Sequence, residues 1–350
     1  MSLYGGGAGS AQAVWPCAGN SVKISPSGAA TGFGPPAWGA AHQKGRQVLK
    51  AEELHLYLPE AMRRDAEAGE VNIINRIAAA VTPLGWQLAL HGESPAELAK
   101  AMGREGRALF HMAQPPVMGG LTLRRAYHYP YWQIEATSAR WEFDVAKTVF
   151  VPAEIDPVAA KSFASRLRLR VLCDGPVTRN GYVFMPLQGR ISRHRSFQSM
   201  SPLAMIEATL VAEPQRKIWA TLHPKESYDA DEMAALAALQ SRFQRFRLVQ
   251  GDAVALLRGC DYVVTQNSGL ALSGYLLGKP AVLFARIDFH HIAGSVPRQG
   301  VSAAFASAKA GPPDFAGYLY WFFRHHTING GAQDAEHQIR ARFRRHGWIR

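Results

Sequence analysis

The chain has 350 residues, 47% of them hydrophobic, and a formal net charge of +12 at pH 7. This length allows two domains with substantial cores, and no apolar run is long enough to cross a bilayer, so we expect a cytoplasmic protein. The N-terminus also lacks the charged start and apolar core of a signal peptide. The positive charge predicts anionic partners, which include phosphates, acidic glycans, acidic lipids and nucleic acid.

Residues 1–47 are rich in Gly, Ala, Ser and Pro and show no hydrophobic periodicity. A segment of this composition buries too little apolar surface to offset the entropy of ordering its backbone. We therefore predict a disordered N-terminal extension over these residues.

From residue 48 to 155, short apolar runs alternate with segments of helical spacing. The predicted strands and helices cover residues 55–58, 73–81, 86–90, 95–102 and 108–111, in the order strand, helix, strand, helix, strand. This order predicts a Rossmann-like domain.

The same alternation returns between residues 175 and 300. The predicted strands cover 182–185, 218–222, 247–249, 262–264 and 281–284, and the predicted helices cover 203–212, 231–246, 252–258 and 270–277. Strands that alternate with helices imply right-handed crossovers and a parallel sheet. The predicted fold class is α/β, with two Rossmann-like domains facing a cleft.

Two further segments complete the chain. Residues 152–170 are predicted to form a connection and an interdomain helix that carries Arg166, Arg168 and Arg170. Residues 301–350 are predicted to form helices that pack back on the first domain. The basic stretch at the C-terminus fits a solvated helix face and equally a helix resting on an anionic membrane surface, so peripheral attachment to an inner membrane is an alternative location.

Two polar motifs follow predicted strands of the second unit. His223, Pro224 and Lys225 come after the strand over 218–222, and the run 265–269 (Thr-Gln-Asn-Ser-Gly) comes after the strand over 262–264. Both therefore fall at carboxyl ends of strands, which is the edge where open parallel sheets bind ligands.

These motifs belong to a longer series over residues 181–291. The series is Pro186-Leu187-Gln188, His223-Pro224, Asn267-Ser268 and Gly278-Lys279-Pro280, the last followed by an apolar strand. It resembles the capsule polysaccharide synthesis family of bacterial glycosyltransferases, which includes β-Kdo transferases and has the two-Rossmann architecture called GT-B. The first half of the chain resembles the family only in architecture.

The resemblance implies a transferase that moves a sugar from a nucleotide-sugar donor to a glycan or lipid-linked acceptor in capsular or cell-surface polysaccharide synthesis. CMP-linked sugars are among the candidate donors, and no metal or other cofactor is implied. The alternative is a non-catalytic polysaccharide biosynthesis or export protein that keeps the fold and an anion pocket. A nucleic-acid binder is disfavoured because no recognised nucleic-acid motif is present.

In this interpretation His223, Asn267 and Ser268 hold the donor phosphate, because imidazole, amide and helix N-terminal N–H groups all donate hydrogen bonds to anions. Pro224 orients His223, and Lys225 adds a mobile charge. The other predicted donor-binding residues are Gln188, Arg190, Gln266, Gly269, Ser273 and Asp288. Each motif also has a structural explanation: Asn-Ser before a helix is an ordinary N-cap, and His223 an ordinary loop histidine.

The chain departs from the family pattern at two positions. Ser273 stands where the family carries a glutamate that holds the ribose, and the basic run 189–195 stands where an aspartate is expected after Pro-Leu-Gln. A different donor or a loss of activity would account for both departures. Arginines beside a phosphate site also suit an anionic donor or acceptor.

Sugar transfer needs a general base close to the acceptor hydroxyl. Glu135 is the predicted base, because residues 135–140 resemble the family's acidic-x-Gly-x-x-Arg element, although the glycine is missing. Glu93 and His111, each at the end of a predicted strand, are the alternatives. No metal site is predicted, since adjacent side chains such as Asp288 and His290–His291 on extended backbone point to opposite faces.

Overall fold

The computed structural model describes residues 52–350, and the predicted extension over 1–47 lies outside the described residues. The described chain forms two six-stranded sheets, each covered by helices. The α/β fold class with two Rossmann-like lobes is therefore confirmed. Among residues 52–350, no helix combines the length and apolar character that spanning a bilayer requires.

The first lobe holds the first sheet and the helices packed on it. Its elements are β1 (Glu53–Leu58), α1 (Glu60–Glu67), α2 (Asn72–Val81), β2 (Gln87–Gly92), α3 (Pro95–Lys100), β3 (Arg107–His111), β4 (Leu121–Arg125), β5 (Tyr131–Glu135) and α4 (Asp144–Lys147). Short 3₁₀ turns lie at Thr82–Leu84, Ala101–Gly103, Arg140–Glu142 and Pro152–Glu154. The strand order is β12-β5-β4-β3-β1-β2, where β12 (Ile328–Asn329) comes from the end of the chain; β2, β1, β3 and β4 are parallel, and β5 is antiparallel to β4.

Local sequence explains the predicted elements of this lobe. In α2, Ile73, Ile74 and Ile77 form a stripe at helical spacing and are buried against the sheet. Burial of each such side chain stabilises the fold by about 1.5–3 kcal/mol. In α3, Ser94 is the N-cap, and its hydroxyl accepts a hydrogen bond from the Glu97 amide.

The second lobe holds the second sheet. Its elements are β6 (Tyr182–Pro186), α6 (Pro202–Ala212), β7 (Lys217–Thr221), α7 (Ala230–Arg242), β8 (Phe246–Leu248), α8 (Ala253–Gly259), β9 (Tyr262–Thr265), α9 (Gly269–Tyr275), β10 (Ala281–Leu283), β11 (Gly294–Ser295) and α10 (Val296–Lys309). All pairings are parallel, and the order is β11-β10-β9-β6-β7-β8. Numbered within the lobe, this is the order 3-2-1-4-5-6 of dinucleotide-binding folds.

Three elements connect or extend the lobes. They are α5 (Pro157–Leu172) between the sheets, α11 (Phe315–Tyr320) continuing into a π-helical turn (Trp321–His325), and β12 (Ile328–Asn329) with α12 (Ala335–Arg345) at the end. β12 adds to the first sheet beside β5, and α12 packs on α2. Ile339, Phe343 and Trp348 lie in the first-lobe core, so the apolar face of the C-terminal stretch is already covered. Arg344, Arg345 and Arg350 are exposed, whereas Arg342 is buried.

A continuous apolar core joins the two lobes. It contains Tyr127 and Tyr131 from the first lobe, Phe184 and Leu272 from the second, and Phe322 from the π-helical turn, all of them buried. Because this core spans both sheets, the lobes are held together along one side by apolar packing.

Candidate functional site

The loops after β6, β7 and β9 leave the second sheet side by side. Pro186 pairs with Thr221, and the Thr265 hydroxyl donates to the Pro186 carbonyl at 3.0 Å. Two residues further along each chain come Gln188, His223 and Asn267. Two strand spacings place the His223 and Asn267 backbones roughly 10 Å apart, with Gln188 between them.

The crossovers from β6 and β9 run in opposite directions, since β7 and β8 lie on one side of β6 while β9 and β10 lie on the other. This reversal opens a crevice between the carboxyl ends of β6 and β9, which is where doubly wound sheets bind their ligands. Gln188 borders it from one strand and Asn267 from the other.

His223 is half-buried and holds one ring nitrogen free. Its Nδ1 accepts a hydrogen bond from the Lys225 amide at 3.2 Å, so the proton of the neutral ring lies on Nε2. Its backbone N–H donates to the Tyr228 hydroxyl at 2.8 Å, which orients the loop. Within residues 52–350, Nε2 has no partner and is available to donate to a ligand. Pro224 and Lys225 are exposed beside it.

In the segment after β9, some polar side chains are hydrogen-bonded within the protein and one is available to a ligand. Ser268 caps α9, its hydroxyl accepting from the Leu270 amide, and Gln266 is buried with its Nε2 donating to the Met200 carbonyl at 3.1 Å. Gly269 accepts from the Ser273 hydroxyl at 3.3 Å. Asn267 is half-buried, and its side chain makes no hydrogen bond within the described part of the chain, so this amide is the group available to a ligand.

Two features of α9, its N-terminus and Ser273, offer less to a bound donor than the sequence predicted. The helix spans seven residues, so its dipole is short. Ser273 is buried, and its hydroxyl bonds to the carbonyl one turn earlier in the same helix. The position of the family's ribose-holding glutamate therefore presents no acidic group to the crevice.

The basic loop after β6 is held against both lobes. A Cβ atom at Gly189 would come 2.3 Å from Glu226 Oε2, so the loop lies close to the loop after β7. Arg190 is exposed and has a positive φ of 60°. Further along, Phe197 stacks on Trp141 of the first lobe, with ring centroids 5.3 Å apart. The loop that carries the arginines thus crosses from the second lobe to the first.

Asp288 lies apart from the loops of the crevice. It is fully buried between the lobes, where Tyr127 Oη donates to its Oδ1. Burial raises the pKa of its carboxyl, and the neighbouring Arg140 opposes that rise. Asp288 is therefore an interlobe contact, and no described contact joins it to His223 or Asn267.

Sequence reasoning missed the polar groups around Asp288. Arg124 and Gln133 face each other across β4 and β5, and Arg140 lies over the Tyr127 ring at 4.4 Å. Burial lowers the pKa of the Arg124 guanidinium to about 9. Several buried atoms here have no hydrogen-bond partner: Arg124 Nε, Gln133 Nε2, Gln133 Oε1 and Asp288 Oδ2. β4 itself was not predicted, so no sequence pattern pointed to Arg124.

Glu135 lies inside the first lobe. It pairs with Thr122 in the sheet, three residues before the carboxyl end of β4, which places it roughly 10 Å behind that edge. Its Oε2 accepts from the Asp144 amide at 3.3 Å, and burial raises its pKa to about 7. No described contact joins it to the second lobe.

The two alternative bases lie closer to the edge. His111 is the last residue of β3, one position beyond the last pair of β3 with β1, and burial lowers its pKa to about 4. Glu93 follows β2 and is exposed, although partial burial raises its pKa.

One group among residues 52–350 has the spacing of metal ligands: Glu135, Asp144 and His346, whose ligand atoms lie within 4.8 Å of one another. Arg345 pairs with Asp144 Oδ2 at 2.9 Å, and His346 Nε2 bonds to the Ile134 carbonyl at 3.1 Å. These side chains already have protein partners, and two arginines, Arg342 and Arg345, act on Glu135. The group does not fit a cation.

The Gly-Lys-Pro element of the motif series has a structural role. Gly278 has a φ of +65° and ends the turn after α9. Lys279 is buried, and its Nζ donates to the carbonyls of Thr178 and Cys260, which precede β6 and β9. Those carbonyls lie at the amino edge of the sheet, so Lys279 points away from the crevice.

No protein-family profile and no curated protein match the sequence. Solved structures do. KpsC of Thermosulfurimonas dismutans as a β-Kdo 2,7 transferase is 15% identical with a TM-score of 0.45, covering 73% of this chain and 90% of that chain. KpsC as a β-Kdo 2,4 transferase is 11% identical with a TM-score of 0.40, over 79% and 99%.

A third similar structure is the UDP-GlcNAc 2-epimerase of Neisseria meningitidis bound to UDP-GlcNAc. It is 11% identical with a TM-score of 0.31, covering 84% of this chain and 100% of that chain. At these identities the likeness concerns the fold alone. Two of the three similar structures are β-Kdo transferases, the group that the motifs of this chain resemble.

Proposed function

We propose that this chain is a glycosyltransferase of capsular or related cell-surface polysaccharide synthesis. It transfers a sugar from a nucleotide-sugar donor, bound at the carboxyl edge of the second sheet, to a glycan or lipid-linked acceptor. The observation that carries the proposal is the crevice between β6 and β9, bordered by an unengaged Asn267 amide, with an unengaged His223 Nε2–H on the loop after the next strand, β7.

The chemistry follows from those two groups. The acceptor hydroxyl attacks the anomeric carbon, the bond from that carbon to the phosphate oxygen breaks, and negative charge develops on the leaving phosphate. Hydrogen bonds from His223 Nε2 and Asn267 Nδ2 stabilise that charge more in the transition state than in the ground state, because the charge grows as the bond breaks. Arg190 and Lys225, both exposed nearby in the chain, add positive potential.

The proton of the acceptor hydroxyl goes to a first-lobe base. Position favours His111, which lies at the sheet edge, and proton affinity favours Glu135, whose pKa of about 7 matches neutral pH. Glu135→Gln and His111→Gln separate the two. The catalytic base is the residue whose variant loses turnover while the affinity for nucleotide stays the same.

Nucleotide binding tests the proposal. Thermal unfolding of the wild-type chain with CMP, UDP and GDP, free or sugar-linked, should show stabilisation by at least one nucleotide, about 2.7 kcal/mol at 100 times Kd. His223→Ala and Asn267→Ala should each weaken that binding tenfold or more. His337→Ala, which removes an exposed imidazole from α12, is the matched control. Stabilisation by none of the nucleotides would overturn the proposal.

A second function is favoured by one observation. Because Ser273 bonds to its own helix, the crevice lacks the acidic residue that the family uses for the ribose. A non-catalytic protein of polysaccharide synthesis or export that binds an anion there fits this departure. Nucleotide binding without release of nucleotide from any sugar donor, in the presence of acceptor glycans, would support this second function over the first.

A further inference from the structure

A basic surface pocket lies outside the crevice. It has a volume of about 400 Å³, and the side chains used below are Tyr131, Ser162, Arg166, Arg170, Tyr320 and Arg324. They come from β5, from α5 and from α11 with its π-helical turn. None of the predicted donor-binding residues lines this pocket.

Local structure aims the three arginines at this pocket. Arg166 and Arg170 are one turn apart on α5 and therefore share a face. Arg324 lies in the π-helical turn, where Trp321 and Phe322 are buried and Arg324 is exposed. Such turns occur often at functional sites, because the extra residue re-aims the side chains that follow.

The positive charge of the pocket is not neutralised by the protein. Within residues 52–350, none of the three arginines has a carboxylate within ion-pair distance, and no Asp or Glu lines the pocket. Arg166 donates to the Ser162 hydroxyl at 2.5 Å, which leaves its remaining N–H groups available. Elsewhere on the surface, arginines such as Arg63 and Arg345 do have acidic partners.

The Tyr131 hydroxyl shows that the arginines converge. Tyr131 is 1% exposed, and burial raises its pKa. Arg170, Arg324 and Arg166 all act in the opposite direction on the same hydroxyl. Three positive charges, from α5 and from the π-helical turn, therefore lie near one buried hydroxyl in the lining of the pocket.

Three guanidinium groups without a carboxylate favour a multivalent anion over a single carboxylate. Guanidinium pairs bidentately with phosphate oxygens, and a phosphate carries up to two charges. Ser162 adds a hydroxyl, and Tyr320 presents a ring at the rim. We propose that this pocket binds a phosphate-bearing anion, at a site separate from the donor crevice and formed by the elements that connect the two lobes.

A soluble metabolite and a lipid headgroup are both sources of such a phosphate. The volume of the pocket admits a small phosphorylated molecule. On the same helix, Val158 and Leu169 are 76% and 60% exposed, which is the setting of a helix that meets a lipid surface. The experiment therefore uses one probe for each source.

In the first experiment, calorimetry measures the binding of inorganic pyrophosphate to the full chain. In the second, sedimentation measures the binding of the full chain to vesicles of phosphatidylcholine and phosphatidic acid. Arg324→Gln and Arg170→Gln should each weaken binding of the responding probe at least tenfold. Lys161→Gln removes an exposed charge from the same helix without touching the pocket and should change binding less than twofold. Circular dichroism verifies that each variant is folded.

A response to pyrophosphate identifies a soluble ligand, and a response to vesicles alone identifies a headgroup; both support the site. His223→Ala separates this site from the donor crevice, because it should leave the arginine-dependent binding intact. Binding of neither probe overturns the inference. Equal losses in Lys161→Gln and Arg324→Gln also overturn it, since they would indicate attraction to the general basic surface.

Discussion

The Tyr127 hydroxyl donates a hydrogen bond to the Asp288 carboxylate, and this bond joins the loop after β4 in the first lobe to the loop after β10 in the second. Both residues are buried, and Arg140 covers the tyrosine ring. A buried carboxylate is costly unless its oxygens accept hydrogen bonds, so the relative position of the lobes is tied to this contact.

Replacement of Tyr127 by Phe should lower the free energy of unfolding by about 1–3 kcal/mol, because Asp288 loses its donor while staying buried. Urea denaturation at pH 7 measures the change. Tyr129→Phe, at a ring that is 54% exposed, is the control and should leave the stability unaltered. Equal stability of Tyr127→Phe and wild type would show that the contact contributes nothing to the joining of the lobes.

The stack of Trp141 on Phe197 should restrain the basic loop. Such aromatic pairs contribute about 0.5–1.5 kcal/mol, so Trp141→Leu should raise the population of open loop about fivefold. Limited trypsin digestion followed by mass spectrometry should show correspondingly faster cleavage after Arg190, Arg193 and Arg195. The control is Met118→Ala, at a fully exposed side chain. Unchanged cleavage in Trp141→Leu would mean that the loop is held by other contacts.

Glu135 should make stability depend on pH. Its folded pKa of about 7 lies above the ordinary 4.5, so the folded state holds the proton more tightly and stability falls as pH rises from 4.5 to 7. Once the pH exceeds 7, the free energy of unfolding has fallen by a total of about 3 kcal/mol relative to its value below pH 4.5. Glu135→Gln should therefore gain about that much relative to wild type between pH 4.5 and pH 8 in urea denaturation.

Glu154→Gln, at an exposed carboxyl, controls for the loss of one negative charge. A Glu135→Gln variant with the same pH profile as wild type would contradict the raised pKa. It would also remove the argument from proton affinity for Glu135 as a base.

Lys279 should matter for folding and not for ligand binding. Lys279→Met leaves the Cys260 carbonyl, now 2.6 Å from Nζ, and the Thr178 carbonyl without a donor in a buried site. We expect unfolding free energy to fall by about 3 kcal/mol. Nucleotide affinity of the folded protein should stay within twofold of wild type, whereas a tenfold loss would place Lys279 in the binding site. Lys161→Met serves as the exposed control for stability.

Local periodicity alone predicted most of the second lobe. The strands β6, β7 and β9 lie within one residue of their predicted bounds, because runs of apolar residues are recognised from neighbours in the chain. The same information placed His223 and Asn267 at strand ends, and parallel strands bring both ends to one edge of the sheet.

The first lobe shows where local information ended. β4 and β5 were not predicted, because the antiparallel pairing that makes them strands joins two separate segments and leaves no local periodicity. Burial of Glu135 behind the sheet edge follows from that pairing.

The sequence by itself therefore determined the fold class, the strand ends that carry His223 and Asn267, and the excess of positive charge. Only the tertiary structure decided that Lys279 faces the far edge, that Asp288 meets Tyr127, and that Arg324 joins Arg166 and Arg170. The physical reason is distance along the chain. Periodicity records which side of an element is buried, whereas these contacts join residues more than a hundred positions from one another. The contact of Lys279 with Cys260 is the exception.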